Sequence, residues 1–338
     1  MRALLLAGGG GSRLWPLSTE ETPKQFLALL SDRSLLAETY ARLEPLTAEI
    51  YIATSQRHAA RVRQELPAVP ADRILAEPCR RNSGPAVLAA AIAFERDGDP
   101  VTAAVPSDQT VADATAFRAA LSAAGEAVDS ASVVVLGIPP TRPETDYGYL
   151  DVRPDARSPT MAVLRFVEKP EAPRAEELVR LGCLWNAGIF VFRPSRFLAE
   201  ARRVSGELVA AVEAYERARV SGRAAAAAEA YAALPDISID YSVMEKVTGV
   251  RAVPLRAGWS DAGTWRAVRE LKGPSDAHGN LVVSDRPVLA PGVSNTAIVV
   301  GPEGVLVLPF DHERELKAAV ESLRREEEAA GARSPFAP

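Results

Sequence analysis

The sequence predicts an α/β protein built on a doubly wound, mainly parallel sheet, with a small β-rich region towards its C-terminal end. Two observations support this fold class. From residue 1 to about residue 137, short apolar runs alternate with longer amphipathic runs, the pattern of strand–helix–strand units. From about residue 280, short apolar runs follow one another with only glycine and proline turns between them.

Composition limits the class of protein further. The chain has 338 residues, of which 47% are hydrophobic and 25% charged, so it can form one large globular domain and a smaller one. A net charge of −5 argues against a nucleic-acid partner. The apolar run from Ala86 to Phe94 is too short to span a bilayer, and no basic leader precedes the first strand. We therefore expect a cytoplasmic protein with no membrane partner.

Cysteines and histidines offer no reactive centre. Cys79 and Cys183 belong to no metal-binding pair, so we expect both to be buried thiols. The histidines, at positions 58, 278 and 312, have neither metal-ligand spacing nor a Ser or Cys partner. Nucleophilic hydrolysis has no support from this pattern.

The period and length of each run assign the elements of the first half. Strands are predicted at Ala3–Ala7, Ile50–Ala53, Ile74–Ala76, Val101–Val105 and Val133–Gly137. Helices are predicted at Leu35–Leu46, Arg57–Leu66, Pro85–Arg96 and Ala112–Val128. Ligands of such sheets bind beyond the carboxyl ends of the strands.

The alternation loosens in the second half. Strands are predicted at Gly148–Val152, Met161–Val167 and Gly188–Phe192, and helices at Ala175–Leu181 and Ser195–Val220. The alanine-dense segment Gly222–Ala233 suits a plain surface helix. The β-rich region has predicted strands at Leu281–Val283, Ala297–Val300 and Val305–Leu308, with a closing helix from about Asp311 to Ala330. We expect one domain over residues 1–272, with halves of about 1–140 and 141–272, and a second over 273–338.

Four consecutive glycines follow the first strand. Their backbone N–H groups can surround a polyphosphate, and Arg13 and Lys24 supply positive charge nearby. A P-loop is excluded because no lysine follows the glycines before Lys24, and a dinucleotide fingerprint because Arg13 or Leu14 stands where its third glycine belongs. The loop predicts a nucleoside triphosphate site; a glycine-rich turn without a ligand stays open.

Two aspartates are candidates for a metal site. Asp108 comes directly after a buried strand, and Asp261 lies in the segment Gly258 to Trp265. Magnesium is commonly held by one or two carboxylates together with phosphate oxygens and water. Equally, Asp261 could cap a short helix beginning near Ala262.

Polar groups that suit a sugar phosphate stand at two further places. Glu168 and Lys169 are adjacent at a strand end, where we expect their side chains to face opposite ways and to form no ordinary ion pair. A carboxylate accepts from sugar hydroxyls and a lysine binds phosphate, although both could be solvated edge residues. Asn186 lies among small residues that permit close approach of a ligand. The segment from Arg80 to Pro85 could cap a helix or present backbone groups to a base.

Taken together, these motifs resemble the sugar-nucleotide pyrophosphorylase family, and within it the mannose-1-phosphate guanylyltransferase branch. The matching segments are Leu-Ala-Gly-Gly-x-Gly-Ser-Arg-Leu-Trp-Pro-Leu-Ser, Pro-Lys-Gln-Phe, Glu-Pro-x-x-Arg-Asn, Phe-Val-Glu-Lys-Pro, Trp-Asn-x-Gly-x-Phe, Ile-Asp-Tyr-Ser-Val-Met-Glu-Lys and Trp-x-Asp-x-Gly-x-Trp. The resemblance extends from Met1 to about Leu271. It implies a Rossmann-like nucleotidyltransferase sheet whose first half binds nucleotide and whose second half binds sugar phosphate.

The resemblance also implies roles for individual residues. The nucleotide-binding set would be Leu6, Ala7, Gly8, Gly9, Gly10, Gly11, Ser12, Arg13, Lys24, Glu77, Asn82, Ser83 and Gly84. The sugar-phosphate-binding set would be Tyr147, Gly148, Glu168, Lys169, Asn186 and Asp261. Asp108 and Asp261 would bind Mg²⁺, and the catalytic set would be Arg13, Lys24, Asp108, Lys169 and Asp261.

The implied reaction joins GTP and mannose 1-phosphate to give GDP-mannose and pyrophosphate. Two departures from the family pattern stand out: Gln109 where histidine is frequent, and Ser83-Gly84 for a more usual Thr-Ala. Neither removes a charge. The longer phosphomannose isomerase domain of some relatives is missing, so we expect one activity. A homodimer is a possible assembly. Two alternatives stay open: the same chemistry on another nucleotide and sugar phosphate, or a non-catalytic nucleotide-sugar sensor.

Overall fold

The computed structural model describes residues 1–9, 12–155 and 158–329. The chain forms two compact units. Unit 1 comprises residues 1–8 and 37–259, and unit 2 comprises residues 9–36 together with the chain from residue 260 onward. Unit 2 therefore joins the segment after the first strand with the C-terminal region, a division different from the expected boundary near residue 272. The division into domains over residues 1–272 and 273–338 remains a prediction.

Most of the described strands belong to unit 1. They are β1 (Arg2–Ala7), β2 (Ile50–Ser55), β3 (Ile74–Glu77), β4 (Thr102–Pro106), β5 (Thr110–Val111), β6 (Val134–Ile138), β7 (Tyr149–Arg153), β8 (Met161–Val167), β9 (Leu184–Phe192) and β10 (Arg251–Pro254), with β11 (Trp259–Ser260) at its end. Among the described residues, nine of these strands form one sheet in the order β3–β2–β1–β4–β9–β6–β10–β8–β7.

Most strands of this sheet share one direction. Strands β1 to β4 are parallel, and Leu5 lies opposite both Ile52 and Val105. Only β8 and β9 among the nine described sheet strands run against the others, and β9 lies between β4 and β6. The predicted α/β class with a mainly parallel sheet is confirmed. The shared direction brings the ends of β1, β3 and β4 to one edge of the sheet.

Helices follow the strands much as predicted. They are α1 (Leu35–Leu43), α2 (Ala59–Glu65), α3 (Ser83–Arg96), α4 (Ala114–Ala127), α5 (Ala172–Arg180), α6 (Pro194–Val220) and α7 (Ala224–Ala232). Asn82 and Asp113 cap α3 and α4 by accepting from the first free N–H groups. None of the described helices combines the length and the apolar character needed to cross a membrane.

Helix α7 lies at the surface as expected, since most of its residues are exposed. Its inner face carries Tyr231, which is fully buried and whose ring packs edge-on against Tyr215 at 4.7 Å between centroids. The sequence did not indicate this face, because a run of alanines shows no apolar stripe. Cys183 is buried as expected, but the expectation for Cys79 was wrong, because that thiol is only half-buried; both cysteines are free.

Unit 2 has its own sheet and its own core. Its elements are α8 (Trp265–Lys272), β12 (Leu281–Val283), β13 (Thr296–Gly301), β14 (Gly304–Pro309) and α9 (Leu316–Ala329). The strands form a sheet in the order β12–β13–β14, so the β-rich C-terminal region is confirmed. Helix α9 starts later than expected because a 3₁₀ segment, Phe310–Glu315, precedes it; the predicted last residue, Ala330, lies outside the described residues.

Residues from both ends of the sequence share the core of unit 2. The first segment contributes Leu14, Trp15, Leu27, Leu29 and Leu35, and the C-terminal region contributes Trp265, Ala297, Val299, Leu306 and Phe310. Trp265 is fully buried. The segment that carries Arg13 and Lys24 is thus packed by the C-terminal strands and helices.

Candidate active site

The carboxyl ends of β1 and β4 are tied together by Ser107. Its backbone N–H and its hydroxyl both donate to the carbonyl of Leu6, at 3.1 and 2.9 Å. Ala7 accepts from the hydroxyl of Thr54 at 3.0 Å. These bonds hold Leu6 and Ala7 beside the turn that carries Asp108, which is half-buried. Buried hydroxyls thus satisfy the carbonyls of Leu6 and Ala7 at this edge.

The glycine loop begins at this edge. Gly8 and Gly9 are exposed. Gly10 and Gly11 lie outside the described residues, and Ser12 opens a short 3₁₀ turn, Ser12–Leu14.

Gln109 links the Asp108 turn to the second half of unit 1. Its amide donates to the carbonyl of Ala187 at 2.7 Å and accepts from the indole of Trp259 at 2.9 Å. Both ends of the amide are therefore used, which a glutamine can do because it carries a donor and an acceptor. The ring of Tyr147 stands edge-on to Trp185 at 5.1 Å and to Trp259 at 5.7 Å.

Glu77 stands at the end of β3 with a buried partner. Its carboxyl accepts a 2.5 Å hydrogen bond from the hydroxyl of Tyr231. Burial raises the pKa of Glu77 to about 7, and the Tyr231 bond lowers it in part. Burial also raises the pKa of Tyr231, so that hydroxyl keeps its proton and donates.

The start of α3 is bound to the segment before Asp240. Asn82, at φ +63°, accepts from the N–H of Ser83. The Ser83 hydroxyl accepts from the N–H of Ile239 at 3.0 Å, and the N–H of Gly84 donates to Ile237 at 3.0 Å. A Cβ at Gly84 would lie 2.6 Å from that same carbonyl, so only glycine fits. The helix-capping interpretation of this segment is confirmed, and its contact with a base stays a prediction.

Four of the expected sugar-phosphate residues meet around Gly148. Asn186 donates its N–H to Gly148 at 2.8 Å, and Lys169 donates its N–H to Tyr147 at 3.2 Å. A Cβ at Gly148 would lie 2.4 Å from a carboxylate oxygen of Glu168. Tyr147 belongs to the same turn. All five predicted sugar-phosphate residues that lie in unit 1, Gly148 included, are therefore neighbours.

One expectation about this cluster was wrong. Glu168 and Lys169 do form an ion pair, at 3.3 Å. Lys169 lies beyond the last residue of β8 and has φ +45°, so strand alternation no longer separates the two side chains. Such a φ is uncommon for a residue other than glycine and marks a constrained turn. Lys169 is more than half exposed, while Glu168 is mostly buried.

Two acidic residues that the sequence analysis left out of the site support the cluster. The Asp240 carboxylate accepts from the side-chain amide of Asn186 at 2.8 Å, while the Asn186 carbonyl oxygen accepts from Gly188 at 3.0 Å. Burial and the charge of Glu168 raise the pKa of Asp240 to about 6. Glu245 accepts from the backbone of Glu168, and burial raises its pKa. Asp240 and Glu245 thus fix the amide and the backbone that face Gly148.

Three predicted catalytic residues meet within unit 2. The Lys24 ammonium donates to the backbone carbonyl of Asp261, and the Lys24 side chain is buried. A Cβ at Gly263 would lie 2.3 Å from a carboxylate oxygen of Asp261 and 3.4 Å from the guanidinium of Arg13. The Asp261 carboxylate and Arg13 therefore stand beside Gly263, and Lys24 is held at the backbone carbonyl of Asp261.

Asp261 does not cap a helix. Its carboxylate accepts from the N–H of Gly263 at 3.1 Å, within a turn. Helix α8 begins three residues after Ala262, and its cap is Thr264, whose hydroxyl accepts from Ala267 at 3.2 Å. The capping interpretation of Asp261 was therefore wrong, and its carboxylate stands beside Arg13.

Asp108 belongs to unit 1 and Asp261 to unit 2. Within residues 1–9, 12–155 and 158–329, no group of three or more His, Cys, Asp or Glu side chains is arranged to hold a metal ion. A pair of carboxylates is the donor set that the sequence predicts.

Sequence reasoning missed several supporting residues for different reasons. Asp240 and Gly263 stand inside motifs that were quoted, so their position was a usable signal. Tyr231 lies in the alanine-dense segment, where nothing marks it. Its contact with Glu77 joins residues 154 positions apart, a pairing that only the fold creates.

Comparison with known proteins places this chain. The family model for nucleotidyl transferases matches residues 2–273. The chain belongs to the nucleotidyl transferase family. Its members are enzymes that generally use a divalent metal. Nucleotide and sugar-phosphate substrates agree with this family.

Two relatives and one solved structure are similar to this nucleotidyl transferase over nearly its whole length. Xanthan biosynthesis protein XanB of Xanthomonas campestris is 37% identical over 95% of the chain and 73% of the relative. Mannose-1-phosphate guanylyltransferase of Klebsiella pneumoniae is 34% identical over 95% of the chain and 74% of the relative. A crystal structure from Thermus thermophilus, named mannose-1-phosphate geranyltransferase, has a TM-score of 0.84 at 38% identity and covers 96% of this chain and 99% of its own.

Proposed function

We propose that this nucleotidyl transferase joins GTP and α-D-mannose 1-phosphate to form GDP-mannose and pyrophosphate. The observation that carries the proposal is that Asp261 has both cations beside it: Lys24 donates to its backbone carbonyl, and Arg13 lies near its carboxylate next to Gly263. Two cations beside a carboxylate suit a polyphosphate, whose negative charge must be neutralised during transfer. The names of the Klebsiella relative and the Thermus structure support mannose 1-phosphate as the acceptor.

The reaction is a single in-line displacement. A phosphate oxygen of mannose 1-phosphate attacks the α-phosphorus of GTP, and a bond forms between them. The bond from the α-phosphorus to the oxygen bridging it to the β-phosphorus breaks, and its electron pair leaves with pyrophosphate. Such transfers depend on positioning and on electrostatic stabilisation, so no protein nucleophile is needed.

Arg13 and Lys24 are the residues that we assign to the triphosphate. Arg13 can hold phosphate oxygens with two N–H groups, and Lys24 adds a compact charge. Because Lys24 is buried and already donates to Asp261, its ammonium is oriented before substrate arrives. Preorganised donors of this kind stabilise the charge that gathers on the leaving pyrophosphate. The exposed glycines Gly8 and Gly9 leave room for close approach.

The Gly148 cluster is the part of unit 1 that we assign to mannose 1-phosphate. Glu168 accepts from sugar hydroxyls, and the exposed ammonium of Lys169 binds the sugar phosphate. Asn186 adds a donor or an acceptor whose direction is fixed by Asp240. The missing side chain at Gly148 leaves the space that the Glu168 carboxylate occupies. Glu77 and the residues Asn82 to Gly84 are assigned to the nucleoside.

Asp108 and Asp261 are the residues that we assign to Mg²⁺. The chemistry of the donor set fits: both are carboxylates, and magnesium takes its remaining ligands from phosphate oxygens and water. When bound, the ion would neutralise phosphate charge and orient the oxygens of the reacting groups. The bond from the N–H of Gly263 fixes the orientation of the Asp261 carboxylate.

Pyrophosphate release tests the proposal directly. The protein is incubated with mannose 1-phosphate, Mg²⁺ and each of GTP, ATP, UTP and dTTP, and pyrophosphate is measured. We expect release with GTP. Release only with another nucleotide, or only with another sugar phosphate, would favour the same chemistry on other substrates. Binding of GDP-mannose without turnover under any combination would favour the sensor.

Replacing Arg13 tests its role in charge neutralisation. We expect Arg13→Ala to lower kcat on the order of 10²–10³, as loss of one preorganised donor does elsewhere. The matched control is Arg286→Ala, an exposed arginine of the same unit. Equal turnover by the two folded variants would remove Arg13 from the mechanism.

The remaining expectations stay predictions. They are a cytoplasmic location, a homodimer and the absence of a nucleic-acid partner.

A further inference from the structure

The hairpin between β13 and β14 lies against the loop that follows the glycines. The Trp15 side chain is buried, and its indole N–H donates to the carboxylate of Glu303 at 3.1 Å. On the other side, the indole N–H of Trp265 donates to the Trp15 carbonyl at 3.0 Å. Both side-chain and backbone groups of Trp15 are therefore held by the C-terminal region.

The hairpin is shaped to permit this contact. A Cβ at Gly301 would lie 2.7 Å from the carbonyl oxygen of Pro16, and a Cβ at Gly304 would lie 3.1 Å from the Trp15 ring. Gly304 also has φ +150°, a conformation that other residues rarely adopt. Two glycines thus let the hairpin approach the backbone of the loop.

The loop is ordered locally by its own hydrogen bonds. The N–H groups of Leu17 and Ser18 both donate to the carbonyl of Leu14, at 3.0 and 2.9 Å. Leu14 is fully buried, and Arg13 comes directly before it. The turn from Leu14 to Ser18 therefore fixes the backbone next to Arg13, and the β13–β14 hairpin packs against this turn.

We infer that Trp15 and Glu303 are positioning residues. They hold the loop that follows the glycines, here called the Arg13 loop, in the conformation that binds the triphosphate. The C-terminal strands then have a part in nucleotide binding although none of their side chains need touch substrate. This inference rests on the proposed function for its kinetic readout. Glu303 is partly exposed, with 39% of its side chain accessible, so removing its carboxylate opens no cavity in the core.

Kinetics of four single variants and one double variant test the inference. Glu303→Ala removes the acceptor, and Glu303→Gln keeps an acceptor but loses the charge that pairs with Arg324 at 3.6 Å. Trp15→Phe removes the donor but keeps a ring. Glu321→Ala is the matched control, since it removes an exposed glutamate from α9 of the same unit.

We expect Glu303→Ala and Trp15→Phe each to raise the KM for GTP by about tenfold, the size expected for a hydrogen bond to a charged group. The KM for mannose 1-phosphate should stay within about twofold, because the Gly148 cluster is not altered. Glu303→Gln should restore most of the GTP affinity. The double variant, Trp15→Phe with Glu303→Ala, should have the same KM for GTP as either single variant, because both substitutions remove the same hydrogen bond. A KM for GTP in Glu303→Ala equal to that of Glu321→Ala overturns the inference.

Hydrogen exchange provides a second readout that needs no substrate. We expect the Leu17 and Ser18 amides to exchange faster in Glu303→Ala than in the wild type or in Glu321→Ala. Unchanged exchange at both amides overturns the inference. A wild-type protein that releases no pyrophosphate with any substrate overturns the proposed function instead, and the exchange rates then decide the inference alone.

Discussion

Two effects shift the pKa of the Glu77 carboxyl group in opposite directions. Burial raises its pKa to about 7, while the Tyr231 hydroxyl favours the ionised form. Near neutral pH the group is therefore divided between its neutral and charged states. A guanine presents N–H donors on its pairing edge, so only the ionised carboxylate can accept both its bonds. The pH at which the protein works best with GTP should depend on this one residue.

A pH series on Glu77→Gln tests this. We expect the wild-type KM for GTP to fall as pH rises through about 7, because ionisation creates the acceptor. The variant should show no such change. Glu229→Gln, an exposed glutamate on α7, is the control and should follow the wild type. A wild-type KM that stays flat from pH 6 to pH 8, values on the order of one unit either side of that pKa, would contradict the role of Glu77.

The same residue should shape the stability of the protein. The folded-state pKa of Glu77 lies above its ordinary value of 4.5, so the folded state holds the proton more tightly than the unfolded state. Its contribution is complete below about pH 4.5 and is lost as pH rises through about 7. The wild-type free energy of unfolding should fall relative to Glu77→Gln across this window, by up to about 1.4 kcal/mol per pH unit. Urea unfolding at several pH values measures this difference, and a difference independent of pH would contradict it.

Single residues also show where sequence reasoning ended. Strand alternation predicted that Glu168 and Lys169 would diverge, but the chain turns at Lys169 with φ +45° and brings them together. No composition rule identifies a lysine in that conformation. In contrast, the family resemblance placed Arg13, Lys24 and Asp261 in one catalytic set, together with Asp108 and Lys169.

Turns between strands, rather than the strands themselves, carry most of the candidate site. The turn before β7 places Gly148 against Glu168 and Asn186, and the turn after β4 carries Asp108. Strand positions were predictable because apolar runs have readable periods. The insertion of antiparallel β9 between β4 and β6 was not, because local pattern says nothing of the order of strands within a sheet.

Gly148→Ala tests the role of its turn. The added methyl would meet the Glu168 carboxylate at 2.4 Å, so that side chain must move. Because the clash is with the end of a side chain, we expect little loss of stability but a rise of about tenfold in the KM for mannose 1-phosphate, equivalent to about one lost polar contact. The control is Gly206→Ala on α6, where an added Cβ meets nothing within 4 Å. Unchanged KM in folded Gly148→Ala would remove Glu168 from sugar binding.

At the scale of the whole chain, unit 2 is the feature that the sequence concealed. A domain boundary near residue 272 is natural from the change in pattern, since regular alternation has ended by then. The structure instead gathers residues 9–36 with the C-terminal region around one core. Contacts such as that of Trp15 with Glu303 join positions 288 residues apart, and no local signal predicts such a pair. The loop with Arg13 and Lys24 is consequently part of a discontinuous unit.

Truncation distinguishes the predicted domain boundary near residue 272 from the division into units 1 and 2. In a chain ending at Lys272, Leu14, Trp15 and Leu27 would lose the strands that cover them. Each such side chain contributes about 1.5–3 kcal/mol when buried, and whole domains are stable by only about 5–15 kcal/mol. We therefore expect the truncated protein to melt well below the full chain in calorimetry and to release no pyrophosphate. A chain ending at Ala329 is the control and should keep the full midpoint. If the shorter chain instead kept both its midpoint and its turnover, residues 1–272 would be an independent domain, and the C-terminal strands would have no part in positioning the Arg13 loop.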